Sequence, residues 1–481
     1  MKKLLLFFIF LLVISSGFKS DAHADPVKFG LDSSHSLPLL YQFENQNMGI
    51  ATGGLMYEMS VAIGEELHDD YSITTFPGPR LAFEVLNGNI DLTCNNSPKW
   101  SGGLSDEAQW SKTIYTNSVI LVGKKEIPFD RADHLMNTKI GTVENYLYGD
   151  LEDKFKSKIL QRVDAVTVVA NLNKLLDNKL DYIVMSEVEY NFYKETYPVL
   201  QRSSFAVDKT DIQCALSRKS SLTLKKLNET IDRLAKKQVF QQIYKRYINP
   251  KTNFKPIVYG LNDTNSPPFL IYDNNTEYPT IQGGLFFDIG LEMGRKLKRP
   301  VKFLLSPRKR LDSGLADGKI ELVCYNTEAW AGEFAKDYYW SIPIFKQSNY
   351  VVSNSKYKGN ADLKTIKDLK GKTVGTTLGF VYPNLTPYFK DGSLIREDVL
   401  SGTANLSKLN AARIPFILLN NLEYNYYKKK YPDLQRAPFE IDPLEVKCAI
   451  SKKSNLKLKE LNAAIRDLKK SGRMQEIFLP H

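Results

Sequence analysis

Gly54-Leu55-Met56-Tyr57-Glu58 returns 230 residues later as Gly284-Leu285-Phe286-Phe287-Asp288, keeping the glycine, the leucine and the acid. At the same shift Pro38 meets Pro268, Arg80 meets Arg310, Cys94 meets Cys324, Trp100 meets Trp330 and Trp110 meets Trp340. Beyond Gly141 the shift is 234, so the second copy gains four residues between Trp340 and Gly375, and the order of landmarks survives. Gly141-Thr142 matches Gly375-Thr376, Glu189-Tyr190-Asn191 matches Glu423-Tyr424-Asn425, and Cys214 matches Cys448. A unit of about 225 residues is far longer than a solenoid repeat and must fold as a whole domain. The join falls at Asn249-Pro250-Lys251-Thr252-Asn253, too short for a flexible tether. The expected division is therefore 25–250 and 251–481.

Inside each copy, short strand-like runs alternate with amphipathic helices. Val27 to Leu31 and Ile257 to Leu261 open the two copies as strands. After Gly54 and Gly284, apolar residues recur at helical spacing (Leu55, Met59, Ala62, Ile63; Leu285, Ile289, Met293, Leu297). Helices stopping at Gly88 and Gly318 lead into the strands that end at Cys94 and Cys324. Each copy closes on one long helix, carrying Leu227, Ile231 and Leu234 or Leu461, Ile465 and Leu468. Strands alternating with helices predict an α/β fold with mostly parallel sheets.

At 481 residues, 43% apolar and 25% charged, the composition excludes a disordered chain and a fold held by disulfides alone. Residues 1–24 have the form of a cleavable secretory signal: Lys2 and Lys3, the apolar run Leu4 to Ile14, then Ala22-His23-Ala24. That run is too short to span a bilayer, and a soluble, exported product is expected in the periplasm. Removing Lys2, Lys3, Lys19 and Asp21 with the signal lowers the formal net charge of +11 by two. The remaining Lys and Arg are dispersed among acids along helices, which points to a solvated surface rather than a nucleic-acid or membrane face.

Four cysteines, two at matching places in each copy of an exported chain, form a disulfide framework: Cys94 with Cys214, and Cys324 with Cys448. Free buried thiols or a metal remain alternatives, but a metal would need converging ligands, and none of His35, His68, His134 or His481 repeats between copies. No metal and no cofactor are expected.

These residues resemble the bacterial extracellular solute-binding proteins of family 3, the group of periplasmic receptors for polar amino acids, here as two domains in tandem. The resemblance rests on Ser266-Pro267-Pro268-Phe269 followed by Gly284-Leu285 and Asp288, on Gly88-Asn89-Ile90-Asp91, on Trp110-Ser111 and Tyr115, on Val374-Gly375 to Gly379, and on the closing helix after Ser451-Lys452-Lys453. It implies two tandem bilobed, type II-like domains, each with two mostly parallel sheets flanked by helices and a ligand cleft between lobes. Lobe one of the first copy would be about 26–115 plus 207–250 and lobe two about 116–206. The strands holding Cys94 and Cys214 would then be neighbours within lobe one, and a disulfide there would leave closure free.

The chain departs from that family where amino acids are held. No Arg lies between Asp91 and Trp110 or between Glu321 and Trp340 to fork onto an α-carboxylate. Ser186 and Asn420 stand where the family places an Asp for the ammonium. Free amino acids are disfavoured for that reason, and a neutral or anionic organic solute is expected. The resemblance makes Asp32, Asn95, Asn96, Phe269, Tyr325 and Asn326 cleft candidates. Trp100 and Trp330 are candidate flat faces for a ring or sugar, and Arg80 and Arg310 border the cleft. In lobe two, Asn145 and Gly379 occupy a strand-to-helix turn whose free N–H groups can receive an anion or carbonyl, followed by Tyr148 and Tyr382.

The expected role is capture of a small solute by hinge closure for ABC-type uptake, with an inner-membrane permease as partner. Ligand-dependent sensing with a separate partner is the alternative, and a dehydratase-like enzyme a lesser one. Catalysis is not expected: Glu144 is the one carboxylate the sequence places in a cleft, its counterpart is Leu378, and neither Gly-x-Ser-x-Gly nor His-Glu-x-x-His occurs.

Overall fold

The computed structural model describes residues 26–43, 49–67, 70–100, 104–128, 130–144, 146–249, 255–273, 280–356 and 363–479. The expected signal at 1–24, Asn145 and residues 250–253 of the join lie outside them. Two large sheets carry the architecture, and their strand orders correspond one to one. In the first, Tyr71–Phe76, Val27–Asp32 and Leu92–Asn96 form a lobe-one edge, with Val27–Asp32 parallel to both neighbours. Gln201–Leu216 and Tyr115–Gly123 run antiparallel through the middle. Tyr182–Ser186, Lys139–Val143 and Gln161–Ala165 complete lobe two, with Lys139–Val143 parallel to both neighbours. The second sheet repeats the order as Val301–Ser306, Ile257–Asn262, Leu322–Asn326, Ile441–Ser451, Phe345–Asn354, Phe416–Asn420, Thr373–Thr377 and Ile395–Val399.

The two central strands belong to both lobes. Gln201–Leu216 pairs with Leu92–Asn96 near its end and with Tyr115–Gly123 along most of its length, while Tyr115–Gly123 pairs onward with Tyr182–Ser186. Each half is thus two α/β lobes joined by two crossing strands, the tandem bilobed architecture implied by the resemblance, but the sheets are mixed rather than mostly parallel because the crossing strands run antiparallel to their neighbours. Separate apolar cores follow the two lobes. In the second half one cluster around Leu285, Phe286, Ile465 and Leu468 fills lobe one. Two others cover opposite faces of the lobe-two sheet, around Ile417 and Leu419 and around Leu418 and Val374.

The opening motif has a steric cause. Gly54 and Gly284 have φ of +105° and +113°, and a Cβ there would lie 2.5 Å from the Leu39 carbonyl oxygen or 2.6 Å from that of Phe269. Only glycine admits so close an approach, which seats the start of the helices Leu55–Leu67 and Leu285–Leu297. The single closing helix expected for each copy is in fact two. Leu224–Lys236 is followed by Val239–Ile248, and Leu458–Lys470 by Arg473–Phe478. The break comes at left-handed residues, Gln238 (φ 56°) and Gly472 (φ 80°).

Both disulfides form as paired in the sequence reading, Cys94 with Cys214 and Cys324 with Cys448. Each ties a lobe-one strand to a crossing strand and spans no cleft. The halves also touch one another. Phe43, on the hairpin Tyr41–Phe43/Ile50–Gly53, lies 6.1 Å ring to ring from both Phe287 and Phe303, and Arg295 pairs with Glu65. Among the described residues, no helix is long and apolar enough to cross a membrane.

Candidate functional site

In the second half a small cavity of ≈ 60 Å³ lies between the lobes. Lobe one supplies Asn262, Phe286, Arg308, Tyr325 and Trp330, the crossing strand Phe345–Asn354 supplies Gln347 and Asn349, and lobe two supplies Thr377, Gly379, Phe380, Tyr382, Asn420 and Glu423. The aromatic wall is organised by stacking. The Tyr325 ring lies 4.1 Å from Phe286 and 5.2 Å from Trp330, and its hydroxyl donates to Gln347 Oε1 at 2.7 Å. Phe269 stacks on Phe286 at 4.5 Å and 4° without lining the cavity.

Arg308 is the cationic member. Its Nε donates to Asp312 Oδ2 at 3.1 Å and its Nη2 to Asn326 Oδ1 at 2.6 Å, so the guanidinium is held in place while Nη1 donates to no described residue. Burial raises the Asp312 carboxyl above its ordinary range, and Arg308 opposes that rise. Across the cleft, Asn420 caps the helix Asn421–Lys430: its Oδ1 accepts from the N–H groups of Leu422 and Glu423, both at 3.0 Å. Glu423 returns the bond, its Oε2 accepting from Asn420 Nδ2 at 2.7 Å and from the Asn420 N–H at 3.2 Å. Enclosure pushes the Glu423 carboxyl up to about 7, against the pull of those two hydrogen bonds. Gly379 has φ +82° with no atom within 4 Å of a would-be Cβ, so its backbone lies open to a ligand. Tyr382 is buried under the Arg396 guanidinium, 5.7 Å from its ring.

The first half has a wider cleft, with cavities of ≈ 70 Å³ and ≈ 650 Å³ sharing Ser34, His35, Asn95, Trp100, Val143 and Tyr146. Asp32 and Asn96 line the larger, Tyr148 and Ser186 the smaller. Asn95, left-handed at φ 65°, accepts from the Tyr115 hydroxyl. Ser186 caps its helix as Asn420 does, its Oγ accepting from the Glu189 N–H at 3.2 Å. Bonds cross between lobes in both halves: Ser36 Oγ donates to Glu189 Oε1 at 2.7 Å, and the Gly402 N–H donates to the matching Ser266 Oγ at 3.1 Å.

Of the sequence candidates, Asp32, Asn95, Asn96, Trp100, Tyr148 and Ser186 come together in the first half, and Tyr325, Trp330, Gly379, Tyr382 and Asn420 in the second. Four stand off the walls. Arg80 pairs with Glu84 and lies over the Phe76 ring, and Arg310 is exposed. Each sits two residues into its helix from the position that faces the cleft, about 200° around the axis. Asn326 is buried behind Arg308, as Phe269 is behind Phe286. The sequence reading missed Arg308, because its counterpart at the 230 shift is Gly78, and Glu423, whose place three residues after a cap is a capping-box signal.

No family model matches the chain, and no curated protein matches it. Among solved structures, a mutant of ArgBP from T. maritima is similar at 22% identity over 49% of this chain and 96% of that one, with a TM-score of 0.40. The GluR0 ligand-binding core from Nostoc punctiforme in complex with (L)-glutamate is similar at 18% identity over 46% and 97%, with a TM-score of 0.38. The B. pertussis BvgS periplasmic domain is similar at 13% identity over 94% of this chain and 89% of that one, with a TM-score of 0.37.

Proposed function

We propose that the chain is an exported solute receptor whose second half encloses one small organic molecule between its lobes and presents the closed form to an inner-membrane permease. The observation that carries this reading is the composition of the small cavity: an aromatic wall and one fixed cation from lobe one face amides, an open glycine backbone and one carboxyl from lobe two. Concave, largely apolar sites with a few converging polar groups suit small-molecule binding, and groups on both lobes make binding and closure one event.

The same groups describe the solute. Arg308 offers Nη1 to an anionic or carbonyl oxygen. Glu423, about half protonated at neutral pH, either accepts from or donates to a hydroxyl or amide, and is for that reason a weak anchor for an ammonium. A neutral or singly anionic, ring- or sugar-like solute fits both, and a free amino acid fits poorly. A catalytic role would ask for a second proton-transfer group beside Glu423, where the polar wall is made of amides, a threonine, an arginine and tyrosines whose hydroxyls burial pushes above their ordinary range.

Native mass spectrometry of the folded chain as purified tests this. The expected result is a stoichiometric small-molecule adduct that raises the melting temperature on re-addition and binds about ten- to a hundredfold more weakly to Arg308→Ala. An adduct indifferent to Arg308→Ala, or stoichiometric free amino acids, would show the reading of the site to be wrong.

A further inference from the structure

The first cleft is not a copy of the second in charge. At the 230 shift, Arg308, Asp312 and Asn262 of the second half become Gly78, Ala82 and Asp32, and at the 234 shift Leu378 of lobe two corresponds to Glu144. The substitutions remove the guanidinium and the acid that held it, and they open the lobe-one wall. Gly78, Pro79 and Ala82 now border a cavity of ≈ 650 Å³, against ≈ 60 Å³ in the second half. They also leave carboxylates without a counter-ion. Asp32 and Glu144 line the larger cavity and Glu189 the smaller one beside it, while no Lys or Arg lines either among the described residues.

These carboxylates have only neutral donors. Asp32 Oδ1 accepts from the Ser34 N–H at 2.9 Å and from its Oγ at 2.8 Å, and Oδ2 accepts from no described residue. Glu144 is exposed to the cleft with no ion pair among the described residues. Glu189 accepts from Ser36 Oγ at 2.7 Å and from Ser186 at 3.0 Å (N–H) and 2.7 Å (Oγ). His35, 3.4 Å from the Tyr146 hydroxyl, is the one basic side chain on the walls among the described residues. Lys99 and Lys209 line an adjoining groove that shares Trp100 with both cavities and Leu147 with the smaller one, and there they stand among Glu152 and Asp208. A cleft walled by one sign of charge concentrates the opposite sign.

We infer that the first cleft takes an organic cation that carries no carboxylate, a primary or quaternary amine on an apolar body. Asp32 and Glu144 receive the charge, and Trp100, which lines both cavities, offers a ring face to the cation or to the body. The carboxylate of a zwitterion would meet Asp32 and Glu144 with no Lys or Arg on the described walls to hold it. The inference rests on the reading of these clefts as solute sites, but it concerns the other cleft and the opposite charge, so the two fail separately.

Titration calorimetry on the full exported chain tests it with phenethylamine, choline and putrescine, against 3-phenylpropionate as the matched acid and phenylalanine as the matched zwitterion. At least one amine is expected to bind one to one, at least tenfold more tightly than the acid and the zwitterion. Glu144→Gln, at an exposed position outside the cores, and Asp32→Asn should each weaken it about tenfold or more, while Arg308→Ala leaves it unchanged. Preference for the acid or the zwitterion, amine binding untouched by both first-half variants, or amine binding lost in Arg308→Ala overturns the inference. A solute in the second cavity with no amine bound in the first overturns this inference alone; two empty clefts overturn it together with the receptor reading.

Discussion

Glu423→Gln isolates the perturbed carboxyl of the second cavity and has a calculable effect on stability. Its carboxyl is pushed from its usual 4.5 up to about 7 in the folded chain. Between those two values the folded state retains a proton that the unfolded chain has released, so stability falls as pH rises through the window and the loss is complete above about 7. At 1.36 kcal/mol for each unit, and reduced because the carboxyl reaches the solvent-open cavity, the loss is about 2–3 kcal/mol. For a half of this size that corresponds to about 5–10 °C in Tm. Glutamine keeps a side-chain oxygen for Asn420 and has no charge to bury. Urea unfolding followed by near-UV circular dichroism at about pH 5, 6, 7 and 8 should therefore show wild type and variant nearly equal at the acid end, and the variant more stable by about 2–3 kcal/mol at pH 8. Parallel curves for the two proteins across that range would refute the claim that Glu423 is enclosed as a charge-averse carboxyl.

Removing the second disulfide as Cys324→Ser with Cys448→Ser releases a loop of sequence separation 124; chain entropy sets its contribution at about 5 kcal/mol, so the second half should unfold at markedly lower urea while the first keeps its midpoint. Phe43→Ala withdraws a partly buried ring that touches Phe287 and Phe303 of the other half. A loss of about 1–2 kcal/mol is expected, and scanning calorimetry should show the unfolding of the halves drawing apart; a single unchanged transition would mean that the contact does not couple them. Gly284→Ala places a methyl 2.6 Å from the Phe269 carbonyl oxygen at φ +113°, and should lower the melting temperature of the second half more than Gly379→Ala, where the space is open.

The fold was legible in the sequence because its signals are internal. Two chains of landmarks in one order, with glycines and cysteines at matching places, specify a duplicated α/β domain, and the division of each copy into two lobes is what the family resemblance implies. The site was legible only in part, for physical reasons. Residues at strand ends and caps, such as Tyr325, Trp330, Ser186 and Asn420, hold fixed places relative to the cleft and were found. Arg80 and Arg310 were drawn in by their charge, but helical rotation turns them away from it. Arg308 escaped because duplication drew attention to residues that match, whereas the residues that distinguish the two clefts are the ones that do not. Glu423 stands three residues after Asn420, a capping-box spacing legible in the sequence, but its place on the cavity wall follows from the fold.

A crystal structure of the chain purified without unfolding tests the central claim most directly. The account predicts density for a small molecule in the second half between Trp330 and Tyr382, touched by Arg308 from one lobe and by Asn420 or Glu423 from the other. A solute bound outside the space between the lobes, or held by one lobe alone, would contradict it.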